Sequence, residues 1–365
     1  MPKMKLIVAC MSMLFPIASF AASAGTTTIT TTTVTAAPKV VSAVVAPAAM
    51  NRIFYYVEGT QARLSFFAYA KYIDVFAPQA YSIDKTGALT GSVASDLLVF
   101  AKKNNIKVEP LVVNSGFSST SVDLFLSNVS AQTTAIGALV TEAQKQGYAG
   151  YQLDFEQIDS SDKFKYDAFV KRFGTAMKSA GLISSVAVIA QISQNPSDYP
   201  KNIWQTIVGA YDYPSLASST DFISLMSYDD PNSKGPIAEW SWYKQVLAYA
   251  LTQVPAKQLS LGFGLYNWEW NENIGKRVEI GGHVGLQDAI NTYKTTQYYS
   301  TAEQAPYITY KIKGIPYTIW FENAQSVKNK LTLVTKYRLA GFSAWTLGLE
   351  QPSVYQSLPT HGTKG

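Results

Sequence analysis

From residue 52 onward, short apolar segments alternate with longer segments that have the periodicity of helices. The apolar segments are rich in Val, Ile, Leu and Phe, which is typical of parallel strands that are covered on both faces. The predicted strands cover 52–57, 73–79, 107–113, 148–155, 184–191, 221–227, 259–265 and 341–347. The predicted helices cover 61–70, 93–104, 132–146, 164–180, 201–211, 241–253 and 323–338.

About eight strand–helix units in succession predict an α/β fold, the closed (β/α)8 TIM barrel. A doubly wound open sheet is the alternative, but no G-x-G-x-x-G motif follows the first strand. The seventh unit is interrupted, because residues 267–320 separate its strand from its helix. Within this interruption, 286–297 has a helical pattern and 306–321 reads as two strands around Lys313-Gly314. We therefore predict a small α+β insertion between strand 7 and helix 7 that forms one wall of a cleft.

The N-terminal 50 residues differ from the rest of the chain. Two lysines precede an apolar run over 6–20, and small residues follow, which is the layout of a secretory signal over 1–24. A permanent N-terminal anchor is the alternative. Residues 25–50 are rich in Thr, Ala and Pro and predict a disordered linker. We expect a single barrel domain over 51–360 in a secreted or periplasmic protein, with no membrane attachment once the signal is removed.

The composition argues against several classes of function. The chain has one cysteine, Cys10, inside the predicted signal, so we expect neither a disulfide nor a thiol nucleophile in the exported protein. Its two histidines, His283 and His361, make a Ser-His-Asp triad or a multi-histidine metal site an unfavoured interpretation. The formal charge of +5 comes without any basic run, which argues against nucleic acid. We predict no metal and no cofactor.

The chemistry of the chain is concentrated in GYAGYQLDFEQI, at 147–158. Alternate side chains of a strand share a face, and one face here carries Gly150, Gln152, Asp154 and Glu156. Because burying unpaired charge costs several kcal/mol or more, these carboxylates should face a wet cavity or a reacting group. In a barrel they would lie at the C-terminal mouth, where active sites form. The pattern predicts Glu156 as a catalytic acid whose pKa is raised by burial and by Asp154. An interior hydrogen-bond network that anchors the barrel is the alternative.

The stretch from Ala149 to Glu156 resembles the D-G-x-D-x-D-x-E signature of the family-18 glycoside hydrolases, the chitinase-like barrel enzymes. The last two acidic positions match, whereas the first two are Ala149 and Gln152. The resemblance implies retaining hydrolysis in which the substrate's own 2-acetamido oxygen attacks the anomeric carbon. Glu156 would be the acid and then the base, and Asp154 would hold the acetamido group. Gln152 can hydrogen-bond Asp154 without adding charge, and we count it among the substrate-binding candidates.

A second match is Met226-Ser227-Tyr228-Asp229, which is similar to the M-x-Y-D element of the family. Met226 and Tyr228 share a face, so the phenol would point inward and donate to the acetamido oxygen. Tyr228 is thus the third predicted catalytic residue, with a core aromatic as the alternative. Met226 and Asp229 are substrate-binding candidates, although Asp229 could instead cap the loop.

Two further segments carry predicted substrate-binding residues. GFSAWTLGLE, at 341–350, resembles the family's eighth strand, where the resemblance implies that Trp345 forms the floor on which a sugar stacks. A core indole is the alternative. Trp268, at the start of the insertion, could line a subsite. Glu322, at its end, could bind substrate or cap the helix that begins at Asn323.

The resemblance extends to germination-type peptidoglycan N-acetylglucosaminidases, on IDVFAPQAYSID (73–84) and WTLGLEQPSV (345–354). It implies an exported glycosidase that cleaves β-1,4-linked N-acetylglucosamine polymers, either chitin or peptidoglycan. The alternative is a non-catalytic, chitinase-like carbohydrate-binding protein, which Ala149 and Gln152 favour and Glu156 disfavours. A metal or phosphate enzyme on the same barrel is disfavoured by the scarcity of histidine and of Gly-rich loops.

Overall fold

The computed structural model describes residues 50–360. The predicted signal over 1–24, and the predicted linker except for its last residue, lie outside the described residues. Within 50–360, the helices are all too short or too polar to cross a bilayer. No group of three or more His, Cys, Asp or Glu side chains in this range has the arrangement of a metal site.

The described residues form fifteen strands and ten α-helices, which are named here in chain order. The strands are β1 (Asn51–Tyr56), β2 (Val75–Ile83), β3 (Leu89–Gly91), β4 (Lys107–Val108), β5 (Leu111–Asn114), β6 (Gly150–Asp154), β7 (Ile183–Ile189), β8 (Phe222–Met226), β9 (Leu259–Gly264), β10 (Asn267–Asn271), β11 (Lys276–Gly281), β12 (Gln297–Ser300), β13 (Ala305–Ile312), β14 (Ile315–Trp320) and β15 (Gly341–Trp345). The helices are α1 (Thr60–Tyr69), α2 (Ser95–Lys103), α3 (Ser119–Leu126), α4 (Val129–Gln146), α5 (Lys163–Ser179), α6 (Lys201–Ile203), α7 (Tyr213–Ser219), α8 (Trp240–Gln253), α9 (His283–Tyr293) and α10 (Ala324–Tyr337).

Eight of the strands are parallel neighbours and close into a barrel. Their order around the barrel is β1, β2, β5, β6, β7, β8, β9 and β15, and β15 returns to pair with β1. Phe54 of β1 shows the closure directly, because it lies opposite Phe76 on one side and Ala344 on the other. The prediction of a closed (β/α)8 barrel is therefore confirmed. The C-terminal ends of all eight strands meet at one mouth, which is where such barrels place their active sites.

The sequence prediction missed some elements and misplaced the bounds of others. The predicted strand over 107–113 is broken into β4 and β5 by Glu109 and Pro110, and a proline has no N–H to give to a ladder. The predicted helix over 201–211 is α-helical only in α6 and continues as a π-helical turn over Trp204–Val208. The helices α3 and α7 were not predicted. Both are of eight residues or fewer, too short for a periodic pattern to stand out.

The insertion lies between β9 and α10. Its five strands form an antiparallel sheet in the order β11, β10, β14, β13, β12. The helix α9 packs on one face of this sheet, where Leu286 meets Ile308, Ile319 and Phe321. The predicted hairpin around Lys313-Gly314 is present as β13 and β14. The predicted helix over 286–297 begins three residues earlier and ends at Tyr293, and the strands β10, β11 and β12 were not predicted.

At the N-terminal end of the barrel, a cavity of about 250 Å³ contains a buried carboxyl group. Glu109 lines this cavity and is only 3 % exposed. Burial raises the pKa of Glu109 to about 7, with a smaller opposing effect from Lys107 and a smaller supporting one from Asp221. Because the pKa of Glu109 is higher in the folded chain than in the unfolded chain, folding takes up a proton. The free energy of unfolding therefore decreases as the pH rises from the pKa of the unfolded chain to the folded pKa of about 7.

We therefore expect Glu109→Gln to stabilise the protein at alkaline pH and to have little effect near pH 4. The free energy of unfolding should rise by about 3 kcal/mol relative to wild type between these limits, at 1.36 kcal/mol for each pKa unit. Urea denaturation across the pH range would measure this difference. Glu272→Gln, at an exposed turn of the insertion, is the surface control. Parallel stability curves for wild type and Glu109→Gln would contradict the assignment.

Candidate active site

The two carboxylates of the central motif lie where β6 leaves the barrel. The pairing of β6 with β5 ends at Asp154, which lies opposite Val113. Asp154 is only 4 % exposed, whereas Glu156, two residues further along the chain, is partly exposed. The structure thus places a buried carboxyl group below a solvent-connected one at the C-terminal mouth of the barrel.

The electrostatics of this pair favour a protonated acid. Burial first, and then the negative charges of Asp154 and Asp229, hold the pKa of Glu156 well above that of an ordinary glutamate. Burial also raises the pKa of Asp154, whose Oδ1 atom has no hydrogen-bond partner. Two carboxyl groups in one desolvated site resist double ionisation, so the pair holds a proton towards neutral pH. Glu156 can therefore donate a proton, and Asp154 offers a free acceptor.

Tyr228 lies beside the carboxylates because two glycines of β9 leave room for its side chain. A Cβ atom at Gly262 would come within 3.0 Å of the Tyr228 ring, and one at Gly264 within 3.1 Å of its Cβ. The ring meets that of Tyr266 edge-on, with centroids 6.4 Å apart. Burial first, and then the charges of Tyr55 and of the site carboxylates, raise the pKa of Tyr228 well above its ordinary value. The phenol therefore stays protonated and remains a hydrogen-bond donor.

Asp229 and Met226 flank Tyr228 in the sequence and lie at the same mouth. Met226 is the last residue of β8 and is partly exposed. Asp229 has a left-handed backbone with φ of 60°, and its Oδ1 atom accepts a hydrogen bond of 2.5 Å from the Tyr266 hydroxyl. This bond holds the carboxylate in place, and its charge acts on Glu156.

Trp345 ends β15 at the mouth and is partly exposed. Its ring centroid lies 5.5 Å from that of Tyr55. It also packs against the buried aromatic cluster that includes Tyr266 and Trp268. An indole that is supported from beneath and open on another side has the geometry of a platform for a sugar ring.

Gln152 contacts the barrel interior and not Asp154, which corrects the hydrogen bond that we expected from the sequence. Its Oε1 atom accepts a bond of 2.5 Å from the Tyr55 hydroxyl, and its Nε2 atom donates to Ser185 and Ser224 at 2.9 and 3.0 Å. Ser224 is in turn bonded to Ser343 at 2.9 Å. With an exposure of 2 % and its amide fully engaged, Gln152 supports the layer below the acid and offers no group to a ligand.

The structure also gives Trp268 a supporting place. Its side chain is 2 % exposed, and the Arg277 guanidinium lies 4.1 Å from the ring centroid. The Trp270 ring packs edge-on at 6.1 Å. No face of the Trp268 indole is therefore open for a sugar, because the insertion folds back over it.

Glu322 forms a buried ion pair with Lys330, which lies in α10. The two side chains are 4 % and 6 % exposed. The helix cap expected at this point comes from Asn323, whose side chain accepts from the Ser326 N–H at 3.0 Å. Glu322 therefore joins the insertion to α10 and does not cap the helix.

Several residues at the site were not found by sequence reasoning. Tyr55 hydrogen-bonds to Gln152, and Tyr266 to Asp229. Asn114 bonds to the backbone of Glu156, and Tyr211 to the backbone of Phe155. Asn114 had a usable signal, since it follows directly after the apolar run of a predicted strand. The others are aromatic residues in apolar surroundings, where a pattern cannot separate a core position from a site position.

Comparison with known proteins agrees with this geometry. A family model described as glycosyl hydrolases family 18 matches residues 24–350. Relatives from Bacillus subtilis include an uncharacterized glycosylase, YvbX, with 25 % identity over 87 % of this chain and 93 % of its own length. They also include a cortical fragment-lytic enzyme, with 26 % identity over 78 % of this chain and 66 % of its own length. A solved chitinase structure from Chromobacterium violaceum superposes with a TM-score of 0.73 and 28 % identity, over 85 % of this chain and 98 % of that one. With the carboxylate pair at the mouth of its barrel, this chain belongs to glycosyl hydrolase family 18 and is a glycosidase.

Proposed function

We propose that this glycosidase is a retaining enzyme that cleaves β-1,4-linked polysaccharides containing N-acetylglucosamine, with the substrate's acetamido group as the nucleophile. The observation that carries the proposal is the unpartnered Oδ1 atom of Asp154, buried below Glu156. A buried carboxyl oxygen without a donor is costly unless a ligand supplies one. The N–H of a 2-acetamido group is such a donor.

The first chemical step uses three side chains. Glu156 gives its proton to the glycosidic oxygen while the bond from that oxygen to the anomeric carbon breaks. The acetamido oxygen attacks the same carbon and forms a cyclic oxazolinium ion. Asp154 accepts a hydrogen bond from the acetamido N–H and balances the positive charge, and Tyr228 donates to the acetamido oxygen.

In the second step Glu156 acts as a base. The Glu156 carboxylate takes a proton from water, and the water oxygen attacks the anomeric carbon. The oxazolinium ring opens, and the acetamido group is restored. Two inversions at one carbon leave the configuration retained. Trp345 supports this sequence as the floor for the sugar at the cleavage point.

The polymer itself is proposed from chemistry that chitin and peptidoglycan share. Both contain β-1,4-linked N-acetylglucosamine, and the relatives include a chitinase and a cortical fragment-lytic enzyme. The predicted signal over 1–24 supports export to a compartment where such polymers occur. A purely carbohydrate-binding role is less well supported, because a binding protein has no need of an acid with a raised pKa beside a second carboxylate.

The mechanism is tested by comparing an N-acetylated chito-oligosaccharide with its de-N-acetylated counterpart. We expect the release of reducing ends from the acetylated substrate and none above background from the other, because the free amine lacks the attacking oxygen. Mass spectrometry of the products from chitin and from peptidoglycan would identify the polymer. Equal cleavage of the two oligosaccharides would refute the proposed nucleophile, and cleavage of neither polymer would refute the activity on them.

A further inference from the structure

The backbone that carries Glu156 lies beyond the end of the barrel sheet. The ladder between β5 and β6 stops at Asp154, and the chain turns at Gln157, whose φ is 55°. Glu156 therefore has no strand neighbour to hold its peptide groups. A catalytic acid on a backbone segment without hydrogen-bonded neighbours, at the solvent-exposed mouth, would be poorly positioned. Misplacement of a reacting group by about 1 Å can cost on the order of 100-fold in rate.

A single side chain takes the place of the missing strand. The Oδ1 atom of Asn114 accepts a hydrogen bond of 2.9 Å from the Glu156 N–H, and its Nδ2 atom donates one of 3.0 Å to the Glu156 carbonyl oxygen. Asn114 is the last residue of β5 and is only 2 % exposed. Its planar amide thus continues the β5–β6 ladder by one step, and it does so at the residue that bears the acid.

The carbonyl end of the peptide group between Phe155 and Glu156 is held as well. The Tyr211 hydroxyl, which belongs to the segment between β7 and α7, donates a hydrogen bond of 2.7 Å to the carbonyl oxygen of Phe155. The backbone of two consecutive residues is therefore fixed by side chains from two other units of the barrel. Such double support is what precise placement of a reacting group requires.

We infer that Asn114 is a positioning residue that aims the Glu156 carboxyl at the glycosidic oxygen through its two backbone hydrogen bonds. The inference rests on the proposed function. Asparagine suits the role because its side chain presents a donor and an acceptor side by side. An ionised aspartate would lack the donor and would set a negative charge against the Glu156 carbonyl. An alanine would leave both backbone groups to water.

The decisive experiment compares Asn114→Ala with wild type on the N-acetylated substrate that wild type cleaves. We expect kcat to fall by about 10- to 100-fold while KM changes by no more than about twofold, since the sugar-binding side chains are untouched. Asn114→Asp should show a loss at least as large. Asn104→Ala is the matched control, because its side chain also bonds to a backbone carbonyl, at 2.9 Å, but at the end of α2.

The pH profile is a second readout that a merely structural residue would not move. The charged and titratable groups that face Glu156 are Asp154, Asp229, Tyr211 and Tyr228. All of them stay in place in Asn114→Ala, but water gains access to the acid. Because weaker desolvation lowers the pKa of Glu156, the alkaline limb of kcat/KM should move to lower pH.

The outcomes separate this inference from the proposed function. An active wild type, with kcat and pH profile unchanged in a folded Asn114→Ala, would overturn the role of Asn114 and leave the proposed function intact. An inactive wild type would overturn both. If Asn114→Ala does not fold, Asn114→Asp decides, because it keeps the shape of the side chain and removes the donor to the Glu156 carbonyl. A lower kcat at unchanged KM in that variant supports the positioning role of Asn114, and an unchanged kcat overturns it.

Discussion

Glu156→Gln is expected to lower kcat by about 10³- to 10⁴-fold on N-acetylated substrates. The amide has almost the shape of the acid but has no proton to give to the leaving oxygen and cannot later take one from water. Both chemical steps therefore lose their proton transfer. Because Glu156 is partly exposed, the variant should fold as wild type does. Binding should survive, so KM should change little.

The measurement is the initial rate of reducing-end release, with thermal unfolding as the test of folding. Glu272→Gln makes the same chemical change at an exposed turn of the insertion and should leave kcat unchanged. Activity that survives in Glu156→Gln, in a preparation free of wild-type enzyme, would remove Glu156 from the mechanism. The proposed acid would then have to be sought elsewhere.

Asp154→Asn is expected to lower kcat by about 10²- to 10³-fold, the second-largest effect. Asparagine can still accept a hydrogen bond from the acetamido group, but it carries no charge to balance the oxazolinium ion. The substitution also removes a negative charge that raises the pKa of Glu156. The pKa of the acid should fall as a result. The alkaline limb of the pH profile should therefore move to lower pH, because Glu156 loses its proton earlier.

Rates between pH 4 and 9 on the acetylated oligosaccharide would measure both effects. The matched control is Asp159→Asn in the loop that follows β6, where the Asp159 carboxylate accepts a hydrogen bond of 2.8 Å from the Ser161 N–H. The Asp159 carboxylate is close to Asp154 in the sequence, but it bonds within its own turn and not to the site. A pH profile in Asp154→Asn that coincides with that of wild type would contradict the coupling between the two acids.

The barrel was predictable because its evidence is local and repeated. Each buried strand is an apolar run bounded by polar turns, and each long helix has its own amphipathic period. Short elements escaped the prediction, as α3 and the strands β10, β11 and β12 show. The break at Pro110 within a predicted strand depends on backbone hydrogen bonds that the apolar pattern does not report.

The position of the two carboxylates was also predictable, since the alternation along β6 puts Asp154 and Glu156 on one face of a strand that ends there. The partners of Gln152 were not. Its amide is satisfied by Tyr55, Ser185 and Ser224, which come from three other strands and meet only when the barrel closes. An isolated polar residue beside a carboxylate does not reveal which of several neighbours it bonds to.

The roles of Trp268 and Glu322 depended on tertiary structure for the same reason. A tryptophan and a glutamate at the ends of an insertion are equally compatible with a sugar subsite and with a packed joint. The decision came from Arg277, which covers the Trp268 ring, and from Lys330, which neutralises Glu322. Burial by a distant segment is not encoded in the spacing of either residue.

The amino-acid sequence alone determined the (β/α)8 barrel, the interrupted seventh unit and the shared strand face of Asp154 and Glu156, because each follows from periodicity within one continuous segment. The tertiary structure alone decided which polar side chains face the mouth and which support it from beneath. It also showed that Asn114 holds the backbone of Glu156, across 42 residues of intervening chain. The physical reason is that hydrogen bonds and burial between strands exist only after the closed barrel brings distant segments together.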